Sequence, residues 1–479
     1  MKKLLVLSLI VLVILLAVIG VYSYNKRLLP TESIIINDNA VNGENIENIS
    51  VNTNNPFGIS IAGFLSTKNY EKSLSYMAEV GAGTARFMAR WGGLHWGDVE
   101  KQKGSYDWTS TDAYYLAAKQ NNLEIVVDLY TNSPEWSPVY KKCAIGYPGP
   151  DMDSYLKFVE AAVERYDGDG INDASGSPVV KEWILGVELE RGDPEWTCLS
   201  SEEYADTYAQ TYKVIKKVNP NAIVVPAETN ILGHVIEKKT DTFFPVILIK
   251  IKEKGIQIPI YPIHFYPSKE IYTPNALIYS IETTKKLLAD IGYSSVLQIT
   301  DMDVWIKQNN LTEGRKVAAS SLVKFYVMAL AHGVKKVIWA QLSDGVYETT
   351  YESGLISKED STKNLLFYSY KLMTEKLMGS NFDQIEKISE VSNGLYVYKF
   401  IKDGKNIWVV WVDNSTGSQS ATITNIKSNN VKITEAASKY DTGIEITDYL
   451  TAFNTEIKQV DGGKIDLNIS EIPVYIEEI

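Results

Sequence analysis

The 479-residue sequence is poor in metal ligands, with two cysteines and four histidines. Cys143 and Cys198 form no paired motif, and His95, His234, His264 and His332 are scattered along the chain. A structural or catalytic metal needs several such ligands at defined spacing, so no metal and no cofactor are expected. Positive charge is also short: 47 Lys and Arg face 59 Asp and Glu, for a net charge of −12. No basic stripe is present, which argues against a nucleic-acid partner, since phosphate binding depends on clustered Lys and Arg. A Gly-rich phosphate turn is missing after the first candidate strand, which argues against an open doubly wound sheet.

Apolar and aromatic residues are plentiful. Hydrophobic residues make up 45% of the chain and aromatics 11%, led by 30 Tyr and 10 Trp, enough to build a large core without disulfides. The same flat faces with a polar edge also suit stacking on sugar rings. The N-terminus reads Lys2-Lys3, an uncharged apolar run from Leu4 to Val21, then Lys26-Arg27. That run is nearer the length of a membrane helix than of a secretory h-region. The expectation is a single-span anchor over residues 1–27, or a signal segment if it is cleaved, with the body extracytoplasmic. Residues 28–55 are rich in Asn, Ile, Ser and Glu without period, as in a disordered linker.

Beyond the linker, short β-branched runs alternate with amphipathic stretches. Eight candidate strands are Phe57–Ile61, Thr84–Met88, Glu124–Leu129, Val180–Leu185, Ala222–Pro226, Pro259–His264, Val296–Thr300 and Lys336–Ala340. Helical periodicity between them marks Tyr155–Tyr166, Ser201–Val218, Leu277–Ile291, Arg315–His332 and Ser361–Met378. This is the count and size of a (β/α)₈ TIM barrel, placed over residues 56–380. The period then changes: Leu395–Phe400 and Ile407–Asp413 flank an Asp403-Gly404 hairpin signal. Residues 381–479 read as a small C-terminal β-sandwich resting on the barrel.

A barrel of this kind carries its chemistry where strands run out at their C-terminal ends. The strand-end groups include Arg86, Trp91, Asp128, Trp136, Glu188, Glu228, His264, Tyr266, Asp301, Asp303, Trp339 and Asp344. Hydrolysis of a glycoside needs two carboxylates, and Glu188 after the fourth strand with Asp301 after the seventh can converge across the mouth. Glu228 and Asp303 read as structural carboxylates. Trp91, Trp136, Trp196, Trp305 and Trp339 fall on loops or strand ends of the same face, and stacking on sugars is expected of at least two. Cys143 and Cys198 lie in neighbouring loops after the third and fourth strands. They are either two free thiols or, in an oxidising compartment, a bridge contributing about 4 kcal/mol in the chain-entropy model.

These residues resemble the clan A glycoside hydrolases, and the likeness runs from Pro56 to Ile479. GAGTARFMARWGGLHWGDVEKQKGSYDW over Gly81–Trp108 is similar to the clan's strand-two stretch with its Arg. Thr131-Asn132-Ser133-Pro134-Glu135-Trp136 resembles the strand-three Pro-x-Trp. KEWILGVE over Lys181–Glu188 resembles the strand-four pattern in which Trp183 precedes the acid/base Glu. His264-Phe265-Tyr266 resembles the strand-six His-x-Tyr, and Gln298-Ile299-Thr300-Asp301 sits where the clan has Ile-Thr-Glu. Trp339 is similar to the strand-eight Trp, and the C-terminal β-domain makes family 39 the nearest likeness.

The resemblance implies a glycosidase acting on β-linked glycosides in an oligo- or polysaccharide or glycoconjugate. In it Glu188 is acid/base, Asp301 is nucleophile or base, and Arg86, Trp91, Trp136, His264, Tyr266 and Trp339 line the substrate site. Two positions depart from the pattern: Val187 stands where the clan has Asn, and Asp301 where it has Glu. They define a second expectation, a carbohydrate-binding cell-surface protein that has kept the barrel with impaired catalysis.

Overall fold

The computed structural model describes residues 55–61, 69–88, 92–137, 151–189, 199–230, 243–266, 274–304, 311–344, 353–357, 361–390, 394–413 and 417–479. All belong to one compact unit, Glu47–Ile479. The N-terminal apolar run, the linker up to residue 54, Trp91, Trp196, Trp305, Cys143 and Cys198 lie outside the described residues. Among the described residues, no helix is long and apolar enough to cross a membrane.

Eight parallel strands form the barrel: β1 Phe57–Ser60, β2 Thr84–Phe87, β3 Glu124–Tyr130, β4 Val180–Val187, β5 Ile223–Glu228, β6 Ile260–Phe265, β7 Val296–Met302 and β8 Lys336–Trp339. Each strand is followed by a helix: α1 Tyr70–Glu79, α2 Thr109–Gln120, α3 Met152–Arg165, α4 Ser201–Val218, α5 Phe243–Glu253, α6 Pro274–Ile291, α7 Leu311–Ala331 and α8 Leu365–Leu377. The strands pair in the order β5-β4-β3-β2-β1-β8-β7-β6. The ring is drawn shut between β5 and β6 by a parallel bridge, Thr229 to Ile263, and by His264 N–H donating to the Thr229 carbonyl at 2.8 Å. These strands are rich in Val and Ile because both faces are covered, by helices outside and by one another inside.

Local chemistry sets the boundaries. Helix α4 starts at a capping box: Ser200 accepts from Glu203 N–H while the Glu203 carboxylate accepts from Ser200 N–H at 2.8 Å. Its first turn is acidic and its last carries Lys216 and Lys217, both in accord with the helix dipole. The apolar stripe Tyr204, Ala205, Tyr208 and Ile215 is buried against the sheet.

Inside the barrel, side chains stack in layers. On β4 the alternate residues Glu182 and Ile184 point inward, and Glu188 follows past the strand end. On β3 the corresponding residues are Glu124, Val126 and Asp128. Val126, Ile184, Val225 and Ile260 form an apolar middle layer. Below it, Lys336 Nζ lies 2.6 Å from Glu124 and 3.6 Å from Glu182, closing the floor with Gln298. Above it is the polar mouth.

The C-terminal domain is antiparallel: β9 Glu386–Ser389, β10 Leu395–Lys402, β11 Lys405–Val412, β12 Gln419–Ile423, β13 Asn430–Glu435, β14 Thr455–Gln459, β15 Ile465–Ile469 and β16 Val474–Glu478. Six strands pair as β9-β10-β11-β16-β13-β14, and β12 pairs with β15. The β10–β11 turn has Asp403 and Gly404 at φ 51° and 76°, the double positive-φ geometry that Asp-Gly accommodates. Trp408, Val410 and Val431 on one sheet face pack on Ala421, Ile423, Ile465 and Leu467 of the ribbon, making a sandwich. On the other face Tyr398, Phe400 and Trp411 join the barrel's outer core, so the domain is continuous with the barrel's packing.

Candidate active site

The mouth is organised around Arg86, which leaves the end of β2 and is fully buried. Its Nε and Nη2 donate to the two oxygens of Asp128 at 3.1 and 2.7 Å, a bidentate clamp on the inward residue of β3. Nη2 also donates to Glu228 Oε2 at 2.5 Å, Nη1 donates to the Thr300 carbonyl at 2.9 Å, and Nη1 lies 3.5 Å from Asp301 Oδ2. Its donors are thus committed to protein acceptors, so Arg86 acts on the carboxylates and presents none of its surface to a ligand.

His264 joins the other side. Its Nδ1 lies in hydrogen-bond contact with Glu188 Oε1 at 2.8 Å, and its Nε2 lies 3.0 Å from Glu228 Oε2. The second contact is an ion pair, less well aligned than the first. A histidine facing carboxylates through both nitrogens is favoured as imidazolium. Burial alone would lower its proton affinity, but Glu228 and then Glu188 raise it well above the ordinary histidine value. Burial likewise opposes the charge on Glu228, yet Arg86 and His264 overcome it and hold that carboxyl below its usual value.

Asp301 behaves differently. Its side chain is 1% exposed, and burial raises its pKa despite the opposing effects of Arg86, His264 and the Tyr266 hydroxyl, which donates to Asp301 Oδ2. Asp128 is pushed up to about 7, again by burial first, with Arg86 opposing and Glu228 reinforcing; Tyr130 donates to it at 3.0 Å. The result is one connected polar cluster running Glu188–His264–Glu228–Arg86–Asp301–Tyr266.

The backbone is bent to make this cluster. Glu188 sits at φ 42°, in the left-handed region, directly after Val187 and two residues beyond Gly186 at φ 100°. Such a conformation costs on the order of 1 kcal/mol for a non-glycine residue and recurs at functional positions. On β7 the inward residues run at period two through Gln298. The pairing register with β6 shifts between Ile263 and His264, bringing His264 opposite Asp301, and this bulge turns Asp301 into the mouth.

Of the residues singled out in the sequence, Arg86, Glu188, His264, Tyr266 and Asp301 come together. Trp136 is half-buried, edge-on to Trp96 with its indole N–H donating to the Glu100 carbonyl at 2.7 Å. Trp339 is fully buried and donates to the Ser353 carbonyl at 3.0 Å. Glu228, given a structural reading in the sequence, is instead at the centre of the cluster; the signal for it was a carboxylate closing the apolar run IVVPAE. Asp303 is tied to Ser353, Gln341 and Val304 N–H, apart from the cluster, and burial pushes its pKa to about 7. Among the described residues one group of carboxylates, Asp167, Asp169 and Asp173, lies close enough to hold a cation. It sits on the connection entering β4, at the opposite end of the barrel from the mouth.

No protein-family model matches the sequence, and no curated relative matches it. Solved structures do match in fold. A family 39 glycoside hydrolase from the gut symbiont Bacteroides cellulosilyticus WH2 superposes with TM-score 0.63 at 16% identity, covering 88% of this chain and 81% of the other. A monomeric beta-xylosidase from Caulobacter crescentus CB15 gives TM-score 0.63 at 14% identity, over 88% and 96% of the two chains. An alpha-L-arabinofuranosidase from Thermotoga maritima gives 0.57 at 15%, over 85% and 89%. At these identities the likeness speaks to architecture: the chain has the fold of the clan A glycoside hydrolases, a family 39-like barrel with a C-terminal β-domain.

Proposed function

We propose that this protein is a glycosidase of β-linked glycosides, with Glu188 as general acid/base and Asp301 as nucleophile or as the base that activates water. The observation that carries the reading is the single buried cluster linking the two carboxylates at the ends of β4 and β7 through His264, Glu228 and Arg86. Glu188 is the more open of the two, with 11% of its side chain exposed, as suits a group that must meet a leaving oxygen. Asp301 receives the Tyr266 hydroxyl and lies beside Arg86, as suits a carboxylate that must carry charge beside a developing oxocarbenium ion.

Retention requires a carboxylate separation of about 5 to 5.5 Å and inversion about 6.5 to 9.5 Å. An aspartate in place of a glutamate draws the carboxylate back by one methylene, which favours room for a water and hence inversion. A second reading, sugar binding without turnover, is supported by Val187, whose apolar side chain offers no donor to a sugar hydroxyl beside Glu188. The N-terminal apolar run favours a membrane-tethered, outward-facing location, which protease accessibility on intact cells would test.

The deciding experiment is hydrolysis of a panel of aryl β-glycosides, xylosides and arabinosides included, with the anomer of the product followed by NMR. Turnover that is lost in Glu188→Gln and Asp301→Asn establishes the enzyme, and the first-formed anomer assigns Asp301 as nucleophile or base. Sugar binding with no turnover on any member would establish the second reading.

A further inference from the structure

Glu228 is the least expected member of the cluster. It is fully buried at the end of β5, where desolvation alone would expel a charge. Its Oε2 nonetheless meets both cations of the mouth, Arg86 Nη2 at 2.5 Å and His264 Nε2 at 3.0 Å. His264 in turn meets Glu188 Oε1 through Nδ1 at 2.8 Å. Glu228 therefore stands behind His264 just as Glu188 stands in front of it.

From this geometry we infer that Glu228 is a positioning residue: it anchors His264 so that the Glu188–His264 pair retains one shared proton into alkaline pH, the proton that glycoside cleavage consumes. The inference rests on the hydrolase reading above. In the reaction the pair gives up that proton to the leaving oxygen as the glycosidic C–O bond breaks. With Asp301 as nucleophile, its carboxylate bonds the anomeric carbon in that step and the pair takes a proton back from the water that later displaces it; with Asp301 as base, Asp301 takes the proton of the attacking water and the pair regains its own from solvent. Between the two events the pair is one proton poorer, and the negative charge of Glu228 makes the proton's return to the pair favourable.

The groups facing His264 are Glu188 from β4, Glu228 from β5, Asp301 from β7 and Tyr266 on its own strand, whose ring lies edge-on at 5.7 Å. Arg86 faces Glu228 from β2, and Asp128 from β3 shares Arg86. Replacing Glu228 by glutamine keeps its volume and removes an anion that touches both cations. Asp128 still holds Arg86, so the change falls chiefly on His264.

The test is the pH dependence of kcat/KM on an unactivated β-glycoside, for the wild type, Glu228→Gln and Glu228→Asp, together with ¹⁵N NMR titration of the His264 imidazole in each protein. In Glu228→Gln the alkaline limb moves to lower pH by about one unit or more, His264 loses its second N–H at correspondingly lower pH, and Glu228→Asp recovers part of both shifts. A uniform loss of activity with an unmoved limb and an unmoved His264 titration would show Glu228 to be merely structural and would overturn the inference. If the wild type turns over no glycoside, the hydrolase reading fails, and the imidazole titration alone decides Glu228: a lower value in Glu228→Gln supports its hold on the proton, and an unchanged value refutes it.

Discussion

Among the described residues a buried charge cluster lies at each end of the barrel, and the two differ in what holds them together. At the floor a buried cation, Lys336, is set between Glu124 and Glu182, with Gln298 completing the layer. At the mouth two cations, Arg86 and His264, serve four carboxylates: Asp128, Glu188, Glu228 and Asp301. The floor is made of residues at unstrained positions near the starts of strands. The mouth is made of residues at or just past the C-terminal ends of strands, on a left-handed backbone at Glu188 and on a register shift at Asp301. Similar side chains therefore serve different ends. A salt bridge at the bottom plugs the barrel, while an excess of carboxylate at the top leaves acidic groups with shifted proton affinities where a ligand can arrive.

The largest effect that would separate the two ends is on catalysis. Glu188→Gln and Asp301→Asn should each lower turnover by at least about 10²-fold to 10⁴-fold, with melting temperatures near that of the wild type; steady-state kinetics and thermal denaturation read the two quantities. The floor should give the reverse. Lys336→Met removes the buried cation shared by Glu124 and Glu182, leaving Glu124 only the exposed Lys181 at 4.0 Å, and should cost about 3 to 5 kcal/mol of stability, seen in urea titration, with turnover per folded molecule unchanged.

A smaller effect is linked to pH. Asp303 has its pKa raised by burial from an ordinary carboxylate value to about 7. Its contribution to stability is complete below about pH 4 and is lost as pH rises through about 7, because the folded state holds a proton that the unfolded state releases. Between pH 5 and 7 this amounts to about 2 kcal/mol, and Asp303→Asn should remove that part of the slope in denaturation measured across the range. Smallest of all is the surface. Lys316 of α7 pairs with Asp441 of the C-terminal domain, with side chains 36% and 64% exposed, and Asp441→Asn should change stability by less than about 1 kcal/mol.

Much of this arrangement is legible in the sequence. The eight strands are visible because short β-branched runs recur between amphipathic segments, and Asp403-Gly404 marks its hairpin by the backbone geometry it permits. Glu188 and Asp301 are legible because each closes such a run. What the sequence does not disclose is pairing across the barrel. Nothing local indicates that Arg86 is fully buried among carboxylates, that Glu228 lies between Arg86 and His264, or that a shift beside Ile263 turns Asp301 inward. These depend on residues brought together from β2, β5, β6 and β7, and a strand-end carboxylate looks the same in sequence whether it caps a turn or meets an arginine. The burial of Trp339 is hidden for the same reason, since Ser353, which accepts from its indole, lies beyond the next loop.

The central claim, that position in the barrel and not the kind of residue determines which carboxylates do chemistry, is tested most directly on one strand and its extension. Glu182 lies low on β4 and Glu188 just past its end. Measuring glycoside turnover for Glu182→Gln and Glu188→Gln beside the wild type compares the same substitution at the floor and at the mouth. The account predicts that Glu188→Gln loses turnover while Glu182→Gln keeps it. Equal effects of the two substitutions, whether both silent or both inactivating in folded protein, would contradict it.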